Sequence, residues 1–234
     1  MTFLLSIDDT DNLQSRGTGR LARSIASALA DHYPISGVTR HQLYVHPDIP
    51  FTSHNSCAVI HIETSAAGAE ADIFSFARSM MMDDFIEGSD PGIAVAPLDK
   101  LGPAVVAFGR DAKQTILTRQ HARDLAKNCD IRLEGLGGTE DGVIGAMAGL
   151  GLARAGNDGR FLMAGTIRAC RGTCTAEELF AAGIDEIWTL DGKSVKEGFI
   201  SSPEGKSVKP CPVNGRIVLF VRETGSTYQA VKRD

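Results

Sequence analysis

The sequence has little of what marks membrane proteins and basic nucleic-acid-binding domains. Its longest membrane-like run, GVIGAMAGLGLA at 142–153, is too short to span a bilayer. The first residues lack the basic segment and long apolar stretch of a signal peptide. Lys and Arg (24) do not outnumber Asp and Glu (29), so the net charge of −5 does not favour broad electrostatic binding of nucleic acid. We therefore expect a cytoplasmic protein with no membrane partner.

Cysteine is also scarce and unevenly placed. The five cysteines, an odd and scattered set, are typical of a reducing compartment rather than of a disulfide framework. Cys170 and Cys174 form a CxxxC pair, which is looser than a zinc CxxC and has no second pair to complete four ligands. Two buried or half-buried thiols are the preferred interpretation, with zinc as the alternative.

The length of 234 residues fits one large domain or two small ones. Strand-like and helix-like segments alternate along the chain, which predicts a mixed α/β fold. Apolar runs predict strands that include 2–7, a segment from Cys57, one from Gly92 and PAVVAF from Pro103. Helical spacing predicts helices from near Gly19, over 69–82 and over 112–128, and a short helix capped by Thr175 and Glu178.

Three aspartates directly follow the first predicted strand. Asp8, Asp9 and Asp11 lie where an α/β sheet usually places its site, and so many carboxylates at short range resist joint ionisation unless a cation neutralises them. Magnesium, held by carboxylates and phosphate oxygens, suits such a set. One alternative is an acidic turn that caps a helix. Another is a haloacid-dehalogenase-type phosphatase with Asp9 as its nucleophile, although Leu13 departs from that pattern.

A glycine-framed threonine follows the aspartates at a predicted helix start. Thr18 stands between Gly17 and Gly19, and glycines there let backbone N–H groups approach a phosphate. Arg16 and Arg20 add donors that match phosphate geometry. The segment therefore predicts a phosphate contact, with a simple N-cap role for Thr18 as the alternative.

A second glycine cluster, EGLGGTEDGVIGAMAGLGLARAG from Glu134, has a similar design. Gly138 lies in a flexible turn, Thr139 can cap a helix, and Gly142 begins a face of very small residues. Such a face must be pressed against another element or against a ligand. Close helix packing and phosphate binding both remain open from these residues alone.

These segments together resemble the tRNA isoleucine 2-agmatinylcytidine synthetase family. The matching motifs occur in the family's order and cover most of the chain: IDDTD at 7–11, RGT at 16–18, HPDIPFTSHNSCAV at 46–59, DPG at 90–92, GVIGAMAGLG at 142–151 and PCPV at 210–213. The resemblance implies a kinase-like catalytic domain joined to a ferredoxin-like domain. It implies an ATP- and magnesium-binding part over 1–56 plus 130–234 and a ferredoxin-like part over 57–129. The family's OB-fold and zinc ribbon are expected to be lacking.

The resemblance also implies roles for individual residues. Asp8, Asp9 and Asp11 would hold magnesium and the ATP phosphates, with Thr10 beside them in the same motif. Thr18 would match the threonine that can take phosphate. The residues that would line or support the cofactor site are Asn55, Asp90 and Gly142.

The expected function is that of an ATP- and magnesium-dependent phosphotransferase or ligase. It would phosphorylate, and in a second step aminate, a carbonyl or hydroxyl of a small-molecule or nucleobase-like acceptor. A phosphatase and a non-catalytic nucleotide-binding module are the alternatives. The acidic chain gives tRNA weak support as a partner, and the sequence leaves the oligomeric state open.

Overall fold

The structure is a computed structural model that describes residues 1–12, 17–52 and 54–232. The chain divides into two compact units, 1–155 and 156–234. Both mix helices with strands, so the predicted mixed α/β class is confirmed. Among the described residues, no helix is both long and apolar enough to cross a membrane.

The first unit alternates strands with helices over its whole length. In chain order its elements are β1 (Thr2–Asp8), α1 (Thr18–Leu29), β2 (Ile35–Gln42), β3 (Ser56–Glu63), α2 (Ala69–Asp83), β4 (Gly92–Pro97), α3 (Pro103–Asp111), α4 (Arg119–Asn128), β5 (Arg132–Gly135) and α5 (Gly142–Ala155).

The strands of the first unit form an antiparallel sheet in the order β5-β4-β1-β3-β2. The segment from β1 to β4 runs β-α-β-β-α-β, which is the ferredoxin-like arrangement. That arrangement spans 2–97, because β1 pairs with both β3 and β4 and ties the N-terminus into the same sheet. The division into an ATP-binding part and a ferredoxin-like part at the predicted boundaries stays a prediction.

Helices cover both faces of this sheet. Helices α1 and α2 pack on one face, and α3, α4 and α5 form a shared apolar cluster with the other. Because β1 lies between these layers, its residues from Phe3 to Asp8 are all buried, which explains its nearly continuous apolar sequence.

Helix α5 lies unusually close to the sheet because its inward positions are glycines. A Cβ on Gly149 would lie 2.3 Å from the Ser6 hydroxyl oxygen, and one on Gly142 would lie 2.6 Å from the backbone nitrogen of Gly92. On another side of the helix, a Cβ on Gly151 would lie 2.1 Å from the carbonyl oxygen of Val105 in α3. The small-residue face predicted from the sequence is thus pressed against other elements.

Two sequence-based assignments in this unit are wrong. PAVVAF forms helix α3 rather than a strand, because Pro103 occupies the first turn and the run packs lengthwise along α5. The helix predicted over 112–128 begins at Arg119, where the Thr118 hydroxyl accepts the backbone N–H of His121 at 3.2 Å. The predicted helix near Gly19 is confirmed as α1.

The second unit is built around another mixed sheet. Its elements are β6 (Arg160–Met163), β7 (Thr173–Thr175), α6 (Ala176–Ala181), β8 (Glu186–Thr189), β9 (Phe199–Ser201), β10 (Cys211–Val213), β11 (Arg216–Thr224) and β12 (Thr227–Ala230). Strands run in the order β10-β11-β12-β9-β7, and β8 pairs with β11 in parallel. The predicted capping box is confirmed: the Thr175 hydroxyl and the Glu178 carboxylate bond each other's backbone N–H groups.

Two imidazoles share a threonine hydroxyl inside the first unit. The Thr39 hydroxyl lies 2.8 Å from Nε2 of His41 and 2.9 Å from Nε2 of His61, on neighbouring strands β2 and β3. Burial, and then the nearby His41, lower the pKa of His61 to about 4. His61 is therefore neutral at physiological pH.

We predict that Gly151→Ala lowers the free energy of unfolding by about 1–3 kcal/mol, because its methyl group would collide with the backbone of α3. Gly102→Ala is the control, since nothing lies within 4 Å of its Cβ position, and we expect a change below about 1 kcal/mol. Urea unfolding measures both values. Equal losses in the two variants would contradict the close packing of α3 on α5.

We predict that the free energy of unfolding falls by up to about 3 kcal/mol as the pH drops from about 6.5 to about 4, through His61 alone. The unfolded chain protonates this imidazole at a higher pH than the folded protein does, so acid favours unfolding. Urea titrations across that range should give a flatter pH dependence for His61→Gln than for the exposed control His32→Gln. Matching slopes would exclude this role for His61.

Candidate functional site

The candidate site lies at the end of the sheet where β1 stops. Because the sheet is antiparallel, Asp8 at the end of β1 pairs with Gly92 at the start of β4, and the β2–β3 loop reaches the same edge. The amino end of α5 meets this edge at Gly142, whose N–H donates to the Asp90 carbonyl at 3.0 Å. Four separate chain segments therefore converge on the aspartates.

Asp8 is the most deeply buried of the three aspartates. Its carboxylate fits against α5 only because residue 145 is glycine: a Cβ there would lie 1.7 Å from Oδ2. Burial, and then the neighbouring Asp9, raise the pKa of Asp8 well above its ordinary value. Asp8 thus turns towards the helix rather than towards solvent.

Asp9 stands at a strained turn directly after the strand. Its φ of 51° lies in the left-handed region, which aspartate tolerates better than most residues. Burial, and then the carboxylates of Asp90, Asp11 and Asp141, raise the pKa of Asp9 to about 6. A cation that enters the site would favour the ionised form of this carboxyl group.

Asp11 is held by two threonines from different elements. Its Oδ1 accepts the Thr18 hydroxyl at 2.9 Å, and its Oδ2 accepts the Thr52 hydroxyl at 3.0 Å. The Thr10 hydroxyl donates in turn to Thr18 at 3.1 Å. Thr18 is the first residue of α1, and Gly17, with a φ of 86°, is the N-cap. The alternative of Thr18 as N-cap is therefore wrong, and its hydroxyl serves the aspartate instead.

The second glycine cluster wraps around Asp90. The Asp90 carboxylate accepts the N–H of Thr139, and Gly138 lies against the same carboxylate. At the start of α5, the N–H groups of Val143 and Ile144 bond backbone carbonyls of the preceding turn at 3.2 and 3.0 Å. These donors already have partners, so direct phosphate contact through Gly138, Thr139 and Gly142 stays a prediction.

A cavity of about 200 Å³ opens between the aspartates and an apolar wall. Asp8, Asp9, Asp11 and Asp141 lie on its acidic side, with the hydroxyl of Thr18 beside them. The apolar side is formed by Leu43, Ile49, Pro50, Phe51, Ala112, Ile116, Leu117 and Ile144. A second cavity of about 420 Å³ shares Asp9 and Asp11 and reaches Asp90.

Both cavities have acidic linings, and among their described lining residues the basic side chains are limited to His54 in the first cavity. Within 1–12, 17–52 and 54–232, no Lys or Arg side chain lines either cavity. Two ion pairs join α4 to the neighbouring turn: Arg119 pairs with Asp141, which also lines the first cavity, at 3.1 Å, and Arg123 pairs with Glu140. An anionic ligand therefore needs a cation to enter with it.

The loop between β2 and β3 supplies half of the residues of the apolar wall. Its two ends are tied together: the Leu43 N–H and the Gln42 side-chain amide both donate to the Asn55 carbonyl, at 2.9 and 2.6 Å. The Asn55 side-chain amide donates to the Tyr44 carbonyl at 2.6 Å. Asn55 lines the first cavity and also closes the neck of its own loop, while its predicted role in cofactor binding stays a prediction.

The structure gives less support to the phosphate-binding roles predicted for the remaining residues. Gly19 accepts the Arg23 guanidinium at its carbonyl (2.7 Å), and the Arg20 side chain is exposed and lies outside both cavity linings. Arg16 lies outside the described residues. Their phosphate-binding roles stay predictions.

Sequence reasoning missed several lining residues. Thr52, Ser56 and Thr115 place hydroxyls at the first cavity, and Ile116 with Phe51 forms its exposed rim. Loop and turn positions show no hydrophobic period, so no pattern pointed to them. For the segment HPDIPFTSHN at 46–55, the family resemblance is the signal that points to the site.

Magnesium fits part of this donor set. Within the described part of the chain, no group of three or more His, Cys, Asp or Glu side chains forms a ready ligand set. That Asp8, Asp9 and Asp11 together hold magnesium therefore stays a prediction, with Asp8 lying against α5 and Asp11 held by threonines. Asp9 and Asp11 still match the one or two carboxylates that magnesium takes beside phosphate oxygens.

Comparison with known proteins identifies a fold. No protein-family model matches the chain, and no curated protein matches it either. Three solved structures of TiaS, a tRNA agmatidine synthetase, are similar to this chain at 19–20% identity over 64% of its length. They are the apo protein (TM-score 0.55), its complex with isoleucine tRNA and ATP (TM-score 0.56), and its complex with the tRNA, AMPCPP and agmatine (TM-score 0.54). The match covers 35–36% of those longer chains, so the likeness is one of fold.

We predict that the Asp9 carboxylate titrates with a midpoint near 6, and that Asp90→Asn lowers this midpoint because it removes the largest of the carboxylate contributions. The exposed Asp72→Asn in α2 is the control and should leave it unchanged. Carbon NMR of the labelled aspartates measures the midpoints. An Asp9 that titrates like an exposed aspartate would refute the described cluster.

Proposed function

We propose that the chain is an ATP- and Mg²⁺-dependent phosphotransferase or ligase. Its acceptor would be a carbonyl or hydroxyl group of a small-molecule or nucleobase-like substrate, in a cytoplasmic setting. The observation that carries the proposal is the acidic, hydroxyl-lined cavity at the end of β1, whose described lining contains no Lys or Arg. Its fold neighbours were crystallised with ATP, AMPCPP, agmatine and an isoleucine tRNA, which supports the same ligand classes.

Charge balance supports magnesium as the partner of the nucleotide. A triphosphate entering beside Asp9 and Asp11 would meet two carboxylates, and a close pair of like charges costs on the order of 4 kcal/mol at an effective dielectric constant of about 20. When bound, Mg²⁺ supplies the positive charge that neutralises phosphate oxygens during transfer. The chain's own part is to fix the carboxylates, which the threonines around Asp11 already do.

The Thr18 hydroxyl is the group best placed to receive a phosphoryl group from the nucleotide. It faces the first cavity and donates to Asp11 at 2.9 Å, an arrangement in which a carboxylate can take the hydroxyl proton. The Thr10 hydroxyl, by donating to Thr18, orients its lone pairs. The geometry supports the role that the resemblance implies for Thr18.

The same cavity suits an amine as the second substrate. Acidic side chains on one wall and apolar ones on the other match a cationic group on an aliphatic stem. Because agmatine carries such groups and occurs in one neighbour's complex, an amination step after phosphorylation is part of the proposal. A tRNA acceptor is supported by the neighbours' complexes alone.

We predict that Asp9→Asn weakens Mg²⁺–ATP binding at least about tenfold, because it removes a carboxylate that a cation would share with the phosphates. The exposed Asp72→Asn is the matched control and should bind as the wild type does. Titration calorimetry with ATP, with and without Mg²⁺, measures the affinities, and thermal unfolding checks that both variants fold. Equal ATP binding by all three proteins would remove the assignment.

Turnover assays then separate the alternatives. Consumption of bound ATP with an amine and a carbonyl-bearing acceptor favours the ligase. Tight binding without consumption across acceptors favours a nucleotide-binding module. Hydrolysis of generic phosphomonoesters without ATP, trapped by fluoroberyllate on Asp9, favours the phosphatase.

A further inference from the structure

The two cysteines of the CxxxC segment are brought together by the fold of the second unit. Cys170 ends a pair of tight turns in which its N–H donates to the Ile167 carbonyl at 3.2 Å. Cys174 is the middle residue of β7 and pairs with Ile200 of β9. Between them Gly172, with a φ of 70°, reverses the chain, and its carbonyl accepts the Ser202 N–H at 2.7 Å. Both cysteine backbones are therefore fixed from outside the segment.

The two thiols meet above a common apolar cluster. Cys170 belongs to the buried cluster of the second unit, and the half-buried Cys174 packs against it. The Cys174 thiol donates to the Arg171 carbonyl at 4.0 Å, and its interaction with the Cys170 thiol is one of the causes that raise the pKa of Cys170. Each sulfur thus lies beside the other in the folded protein, with Cys174 the more accessible one.

We propose that Cys170 and Cys174 form a dithiol modification site, which closes to a reversible disulfide by exchange with a low-molecular-weight disulfide such as oxidised glutathione. The pair lies wholly in the second unit and takes no part in the proposed phosphoryl-transfer site. Nothing in the ATP proposal depends on it.

The exchange balances as two successive displacements. The Cys174 thiol loses its proton, and its sulfur attacks one sulfur of the oxidised glutathione, which forms a mixed disulfide and expels one glutathione as a thiolate that takes up a proton. The Cys170 thiol then loses its proton, and its sulfur attacks the Cys174 sulfur and expels the second glutathione. Two protein thiols are oxidised to one disulfide, and one glutathione disulfide is reduced to two thiols.

The surroundings set the order of these steps. Burial, and then Cys174 and the Glu178 carboxylate, raise the pKa of Cys170 above its ordinary value. Because the thiolate is the attacking form, Cys170 is suited to the second, intramolecular step, where its neighbour's sulfur is already at hand. Cys174 meets the oxidant first because it is the less buried of the two.

The sequence offers a direct test on the full-length protein. Trypsin cleaves after Arg168, Arg171 and Lys193, so Cys170 and Cys174 fall on the separate peptides 169–171 and 172–193. After incubation with oxidised and reduced glutathione and alkylation of free thiols, a disulfide appears by mass spectrometry as these two peptides joined, and dithiothreitol separates them. We expect the joined species to dominate both peptides in the folded protein.

Two comparisons make the result decisive. Cys129→Ser should leave the joined peptides unchanged, whereas Cys174→Ser, with the same number of thiols, should abolish them. The glutathione equilibrium gives the effective concentration of one thiol of the pair relative to the other, and the same measurement in urea gives this value for the unfolded chain. We expect the value to be at least about tenfold higher in the folded protein. A folded value equal to or below the unfolded value, separately alkylated cysteines, or bonds to Cys57, Cys129 or Cys211 would overturn the proposal.

Discussion

The close approach of α5 to the sheet is the constraint on which the first unit depends. Glycines at 142, 145 and 149 bring the helix axis so near to β1 and β4 that no side chain fits between them. That nearness buries Asp8 against the helix and places Asp90 under the turn before it. The packing of α5 and the geometry of the site therefore depend on each other. A shift of α5 away from the sheet would loosen the apolar core and would also free the carboxylates of Asp8 and Asp90.

Other groups of the protein offset the negative charges of these aspartates to different degrees. Threonine hydroxyls satisfy Asp11, a backbone N–H satisfies Asp90, and Arg119 and Arg123 of α4 balance the acids of the following turn. Burial and neighbouring carboxylates raise the pKa of both Asp8 and Asp9. Because both residues line the first cavity, a cation that enters it would meet carboxyl groups that the protein itself does not neutralise.

The sequence predicted those parts of the molecule whose cause is local. The apolar run of β1, the aspartates after it and the crowded glycine face of α5 each follow from residue types at short range. The sequence did not predict that PAVVAF is helical, because a short apolar run fits a strand as well as a buried helix. Nor did it place β1 between β3 and β4, because strand pairing is a long-range property. Thr52 was missed since loops carry no period.

The tied neck of the β2–β3 loop has a consequence for how such a protein can diversify. Asn55 and the ends of the two strands hold the loop shut at its base by hydrogen bonds that do not depend on the residues at its tip. Insertions or substitutions beyond the neck can therefore reshape the apolar wall without disturbing strand register. The base of the loop and the outline of the cavity can therefore change separately, provided that Thr52 keeps its hydrogen bond to Asp11.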